Sequence, residues 1–320
     1  MNQKTYPRNL PLCKYPKASD LQDHGLYELP KLVKSIDWEE IIEYRSREFR
    51  PVPAAQLSKP QLLSLARMVA RSFVENEPMK RHLQPPQLMP AELPNKVHRD
   101  PFGIDNFGEW TSENNLVWVI RLLILTNPSD PPESIKINTD SVNVSVAILD
   151  DTDTVIGGAF NMTVNPEETP FRAGDPFLDA VMLADKPIFD LIFEQEHQAM
   201  EALKETYPNF RTALENYKVG SHFMVARSSA LPKADAFELV AASAETLHNL
   251  GYQYMVVTAS NQWTGAACEA LHGTRVHFSP FRRLKKVPSR EMAAPTEAYS
   301  SDGYISAKDS GAMFYLIKLN

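Results

Sequence analysis

Two short stretches carry residue types that could do chemistry. The first is SSALPKADAF, residues 228–237, set between a strand-like run (KVGSHFMVA, 218–226) and a helix-like run that begins at Phe237. A strand-to-helix loop can hold an anion such as a diphosphate. The first N–H groups of a helix have no intrahelical partner, and the helix dipole favours negative charge there. Such loops are usually built from glycine, and this one has none. It offers the Lys233 ammonium and the hydroxyls of Ser228 and Ser229 instead, while Asp235 also reads as a helix cap, with Glu238 three residues on. The second stretch is FVENEPM, 73–79, at the end of an amphipathic run. Acidic residues there oppose the C-terminal dipole, so Glu75 and Glu77 are either a solvated helix end or are kept for a purpose.

Other chemistries find no pattern. The eight histidines form no H-E-x-x-H and no zinc spacing with cysteine. GDPFLDAV and ILDDTDT are acidic but lack the calcium-loop pattern, and neither a G-x-S-x-G elbow nor a P-loop occurs. No metal is expected. His272 and His277 flank a turn into a strand and read as structural. The basic patch RLKKVPSR, 283–290, reads as a solvated loop.

The elements that must position these residues follow from periodicity. SKPQLLSLARMVARSFVENEPM (58–79) places Leu62, Leu65, Ala66, Val69, Ala70 and Phe73 at helical spacing, starting at Ser58–Pro60 and ending at Pro78. EYRSREFRPV (43–52) is a candidate strand closed by prolines, which cannot sit inside a ladder. A helix is expected over 112–127. SVNVSVAILD (141–150) alternates four branched apolar residues and reads as a strand, with VIGGAFNMTV (155–164) as its hairpin partner. A helical segment over 177–207 is broken at Pro187. The helix after residue 236 buries Phe237, Val240, Ala241, Ala244 and Leu247 and stops at Gly251. YQYMVVTAS (252–260) is a buried strand, QWTGAACEALHG (262–273) a helix ending in glycine, and AMFYLIKL (312–319) a last strand.

This order predicts an α/β (α+β) chain, a mixed, largely antiparallel central sheet flanked by helices. Residues 1–35 read as an extended segment, and 36–320 as one domain with an acidic helical insertion at about 165–217. The bulk numbers agree. The chain has 320 residues, 43% of them hydrophobic and 23% charged, ample for a buried core. A net charge of -7 argues against nucleic acid. Two cysteines, Cys13 and Cys268, make no disulfide framework. The longest apolar run, LVWVIRLLIL (116–125), is too short to span a bilayer, and the first twenty residues lack the apolar stretch of a signal. The expectation is a cytoplasmic protein without membrane contact.

In outline, and most specifically over 218–273, the chain resembles the GCN5-related N-acetyltransferase (GNAT) superfamily. There a strand splays from its neighbour, and a loop of pattern Q/R-x-x-G-x-G/A leads into a helix whose amides bind the pyrophosphate of acetyl-CoA. The pattern falls on Leu231-Pro232-Lys233-Ala234-Asp235-Ala236. Ala236 fits it; Leu231 replaces Gln/Arg, and Ala234 replaces a glycine. The resemblance implies acetyl-CoA contacts at Ala226, Ser228, Lys233, Ala234, Asp235, Ala236 and Asn261, and 283–290 could reach the 3′-phosphate. The Tyr that often protonates the departing thiolate falls on Cys268, which is either that acid or a small core residue. FVENEPM resembles the "F…DEP" stretch of arylalkylamine-type members, which implies that Glu77 helps remove the amine's proton.

The reading is an acyl-CoA-dependent N-acyltransferase, moving an acetyl group from acetyl-CoA to a small-molecule primary amine by direct attack. The insertion would wall the acceptor side and favour a cationic amine. Two alternatives stand beside it: a GNAT-shaped binding or regulatory protein without turnover, favoured by the missing glycine and Tyr, and a different thioester reaction on the same scaffold.

Overall fold

A computed structural model describes residues 50–76, 137–166, 186–231, 236–280 and 311–319. Among them seven strands form one sheet in the order β1-β2-β3-β4-β5-β7-β6. The strands are β1 (Arg50–Pro53), β2 (Val146–Leu149), β3 (Val155–Thr163), β4 (Val219–Arg227), β5 (Tyr254–Ala259), β6 (Thr274–Pro280) and β7 (Gly311–Lys318). All neighbours are antiparallel except β4 and β5, which run parallel. This is the mixed, mainly antiparallel sheet the sequence predicts.

Helices cover both faces, which is why the central strands are almost continuously apolar. Strand alternation assigns the faces. Met255, Val257 and Ala259 of β5 and Met313, Tyr315 and Ile317 of β7 pack under α5 (Ala236–Asn249) and α6 (Gln262–Ala270). Tyr254, Val256, Phe314 and Leu316 pack on the other face under α3 (Lys186–Thr206) and α4 (Pro208–Glu215). α1 (Lys59–Asn76) lies on that second face over β3 and β4. Its start is a reciprocal capping box: Ser58 N–H donates to Gln61 Oε1 at 3.0 Å, and Gln61 N–H to Ser58 Oγ at 3.4 Å. All six apolar residues assigned to its inner face are buried.

Several expectations change. Val142 and Val144 belong not to a strand but to a short helix, α2 (Thr139–Val144), because the Asn138 side chain accepts from Ser141 N–H and starts a turn. The hairpin is therefore β2 with β3. Pro187 sits in the first turn of α3, where a missing N–H costs nothing; residues 177–185 of the expected helical segment lie outside the described residues. Pro51 and Pro53 lie within β1, tolerated because β1 is the sheet edge. Within the segment read as an insertion, the described residues pack against the sheet. Ala199, Leu203, Phe210, Ala213 and Leu214 are core, and Phe210 stands edge-on to Tyr254 with centroids 5.4 Å apart.

The helix ends carry the expected caps. After α5, Gly251 at φ +79° and the bonds Tyr252 N–H to Leu247 O (3.0 Å) and Gly251 N–H to His248 O (2.8 Å) make a Schellman motif. After α6 the left-handed residue is His272 (φ 57°), not a glycine. Gly273 is needed because a Cβ there would meet Cys268 O at 2.6 Å. The strand entered at the His272 turn is β6, and it pairs antiparallel with the last strand, β7. The helix expected over 112–127 lies outside the described residues, as do residues 1–35.

Candidate functional site

The parallel pair is where the site forms. β4 and β5 are in register only from Val219↔Tyr254 to His222↔Val257. Beyond that pair β4 continues to Arg227 and β5 to Ala259 without pairing, so a gap opens in the middle of the sheet. A bulge in β4 lies at the opening: Phe160 pairs with Met224 and Asn161 with His222, which leaves Phe223 as the extra residue. Bulges bend the strand that carries them, which accounts for the divergence.

The gap exposes backbone donors. Ser228 N–H goes to Ile156 O of β3 at 2.7 Å. Because strand N–H groups alternate sides, those of Val225 and Arg227 point toward β5, where among the described residues no strand meets them. Both strands feed helices on one face. Arg227 leads into α5 through residues 228–235, and Ala259 leads into α6 through Asn261, whose Oδ1 accepts from Trp263 N–H (3.1 Å) and Thr264 N–H (2.9 Å). Two helix N-termini thus follow the diverging strands, a setting that suits an anionic group.

A buried polar cluster pins the opening. His222 Nδ1 lies 3.1 Å from Asn161 Oδ1 and 3.1 Å from Ser243 Oγ of α5. Asn161 Nδ2 donates to Val144 O at 2.7 Å, which turns its Oδ1 to the ring. An amide oxygen only accepts, so the proton sits on Nδ1 and the imidazole is the Nδ1–H tautomer. Asn161 N–H donates to Ser145 Oγ at 3.0 Å, fixing β3 beside the bulge. Burial pushes the His222 pKa down to about 4, so the ring is neutral at ordinary pH.

On the opposite face, α3 presents a second group. The Thr258 hydroxyl, one residue past the last β4–β5 pair, donates to Glu196 Oε1 at 3.0 Å. Burial raises the Glu196 pKa to about 7 against the opposing effect of the Thr258 bond. Glu196 escaped the sequence reading. One acid among many on α3, it is marked only by a partner 62 residues away.

The sequence-assigned residues fall as follows. Ala226 is buried on β4, facing α1. Ser228 uses its N–H in the β3 ladder, and its Oγ accepts from Ala230 N–H at 3.2 Å. Leu231, at the Gln/Arg position of the loop pattern, is fully buried with Ile148, Ile156 and Leu239. The loop is anchored there by packing, and the Arg227 guanidinium also holds Leu231 O. Asn261 is the α6 cap. Ala236 opens α5. Cys268 is 0% exposed in the apolar cluster under α5 and α6. Glu77, Lys233, Ala234, Asp235 and the patch 283–290 lie outside the described residues.

Among the described residues no group of three or more His, Cys, Asp or Glu is placed to hold a metal ion, and no helix is long and apolar enough to cross a membrane. No protein-family model matches the sequence, and no curated protein matches it significantly. Solved structures do. A putative arylalkylamine N-acetyltransferase 7 from the mosquito Aedes aegypti aligns with a TM-score of 0.50 at 10% identity, over 93% of this chain and 94% of its own. Arylalkylamine N-acetyltransferase 2 from the same species gives 0.46 at 13% identity, over 86% and 100%. A putative acetyltransferase from Salmonella typhimurium, solved with acetyl-CoA, gives 0.35 at 10%, over 86% and 95%. The strand order, the parted parallel pair and the first of these alignments agree: the chain has the fold of the GCN5-related N-acetyltransferases.

Proposed function

We propose that the chain is an acyl-CoA-dependent N-acyltransferase that moves an acetyl group from acetyl-CoA to a primary amine. The observation that carries this reading is the parting of β4 from β5 after His222↔Val257, beside the bulge at Phe223. A thioester arm laid in the gap meets the N–H groups of Val225 and Arg227, and its diphosphate reaches the start of α5. The amine attacks the thioester carbonyl directly, the C–N bond forms, the C–S bond breaks, and the thiol departs. Backbone donors at the gap stabilise the oxyanion that develops on the carbonyl. The geometry suits an extended amide-rich arm because the N–H groups of Val225 and Arg227 are backbone donors spaced along one strand edge.

The sealed position of Cys268 favours a second reading, a protein that holds CoA without turnover, because it leaves the thiolate without the acid expected there. Calorimetry with acetyl-CoA, followed by thiol release over a panel of primary amines, separates the two. Binding with release supports the enzyme, binding without release supports the holder, and no binding removes both.

A further inference from the structure

The sheet has two faces at the gap between β4 and β5, and they differ in chemistry. One carries the N-termini of α5 and α6, which suit an anion. The other carries α1 and α3, with the Glu196 carboxylate held by Thr258 at the edge of the gap. Thr258 follows Val257, the last residue of β5 paired with β4, so its side chain borders the opening on the face of Tyr254 and Val256. Ile192 and Phe193, one turn before Glu196 on α3, and Phe223 of the bulge are partly buried apolar neighbours on that face. A carboxylate held beside apolar side chains, across the sheet from the anion-binding helix ends, fits a cationic group arriving from the far side.

The geometry points to Glu196 as the proton acceptor for the amine, with Thr258 fixing the carboxylate at the α3 face of the gap. This rests on the N-acyltransferase reading above and deepens it. An ammonium has no lone pair; Glu196 takes one N–H proton, and the neutral amine attacks the thioester carbon. The second proton leaves nitrogen as the C–S bond breaks and goes to the thiolate, while Glu196 returns its proton to solvent. A carboxylate whose pKa is raised by burial is a better base than an exposed one and is still largely ionised above neutral pH. On the elements packed over this face stand Arg67 and Arg71 of α1, Arg211 of α4, Tyr254 of β5, His277 of β6 and Lys318 of β7. None perturbs Glu196 as burial and Thr258 do.

The test uses the full chain and three probe amines: hexylamine, 2-phenylethylamine and putrescine. Acetyl-CoA binding is measured first, without amine, for wild type, Glu196→Gln and Glu77→Gln, so that a failure of the thioester reading shows by itself. Amine binding to CoA-loaded protein and thiol release from acetyl-CoA across the pH range follow. The expected result is unchanged acetyl-CoA binding in Glu196→Gln, amine binding weakened by about tenfold, and release slowed by about a hundredfold or more. The acid limb of the rate profile disappears with it. Thr258→Val removes a bond that lowers the Glu196 pKa, so it moves that limb to higher pH, which a merely structural role would not do. A Glu196→Gln protein with wild-type release and an unchanged acid limb overturns the assignment. So does the absence of amine binding to CoA-loaded wild type.

Discussion

His222 offers a way to read the site's interior through stability. Its ring is buried, neutral and wedged between Asn161 and Ser243 at the last β4–β5 pair. The pKa is about 4 in the folded chain against an ordinary 6.5. A histidine depressed in this way contributes stability that is present above its unfolded pKa and lost as pH falls toward the folded one. Linkage gives a loss of about 2 kcal/mol between pH 7 and pH 5, and about 3 kcal/mol by pH 4. Glu196 acts in the opposite sense. Its folded pKa is raised, so its contribution is largest at low pH and is lost as pH rises through about 7. The wild-type profile therefore mixes two opposed effects. His222→Asn separates them, because an asparagine amide can still donate to Asn161 Oδ1 but cannot titrate. Urea unfolding of both proteins at pH 7, 6 and 5 should show the stability advantage of wild type shrinking by about 2 kcal/mol over that range, with equal m-values. An advantage that stays constant, or grows as pH falls, would refute the buried neutral ring and the tautomer derived from it.

Two further outcomes test the surroundings. A Cβ at Gly158 would strike Leu65 of α1 and lie 2.6 Å from Val146 O, so Gly158→Ala should destabilise the protein by about 1–3 kcal/mol in urea unfolding; no loss would contradict the close approach of α1 to β3. Cys268 should resist thiol reagents until the protein unfolds, and Cys268→Ala should leave thiol release unchanged; loss of release in a folded Cys268→Ala protein would restore Cys268 as the acid.

The sequence was most legible where local pattern and tertiary role coincide. The β4–α5–β5 run is readable because the inner positions of α5 keep helical spacing and Gly251 sits where a left-handed residue must. It misled where a local cap overrode β-propensity: four alternating branched residues look like one strand, but Asn138 turns the first two into a helix. β6 shows in the sequence only as the strand after the His272 turn, without bounds, because its bulge at Val276 breaks the alternation that marks a strand. The site was legible only in part. That a loop after residue 226 could face an anion follows from strand, loop and helix in succession. The bulge at Phe223 and the Glu196–Thr258 bond do not, because each exists only through partners far along the chain.

Titration calorimetry of the full chain with acetyl-CoA bears most directly on the central claim. The parted strands and the two helix ends predict a saturable one-to-one complex, which weakens when Val225→Pro, whose nitrogen carries no hydrogen, removes a donor at the gap. A folded wild-type protein that takes up no acetyl-CoA would contradict the account at its root.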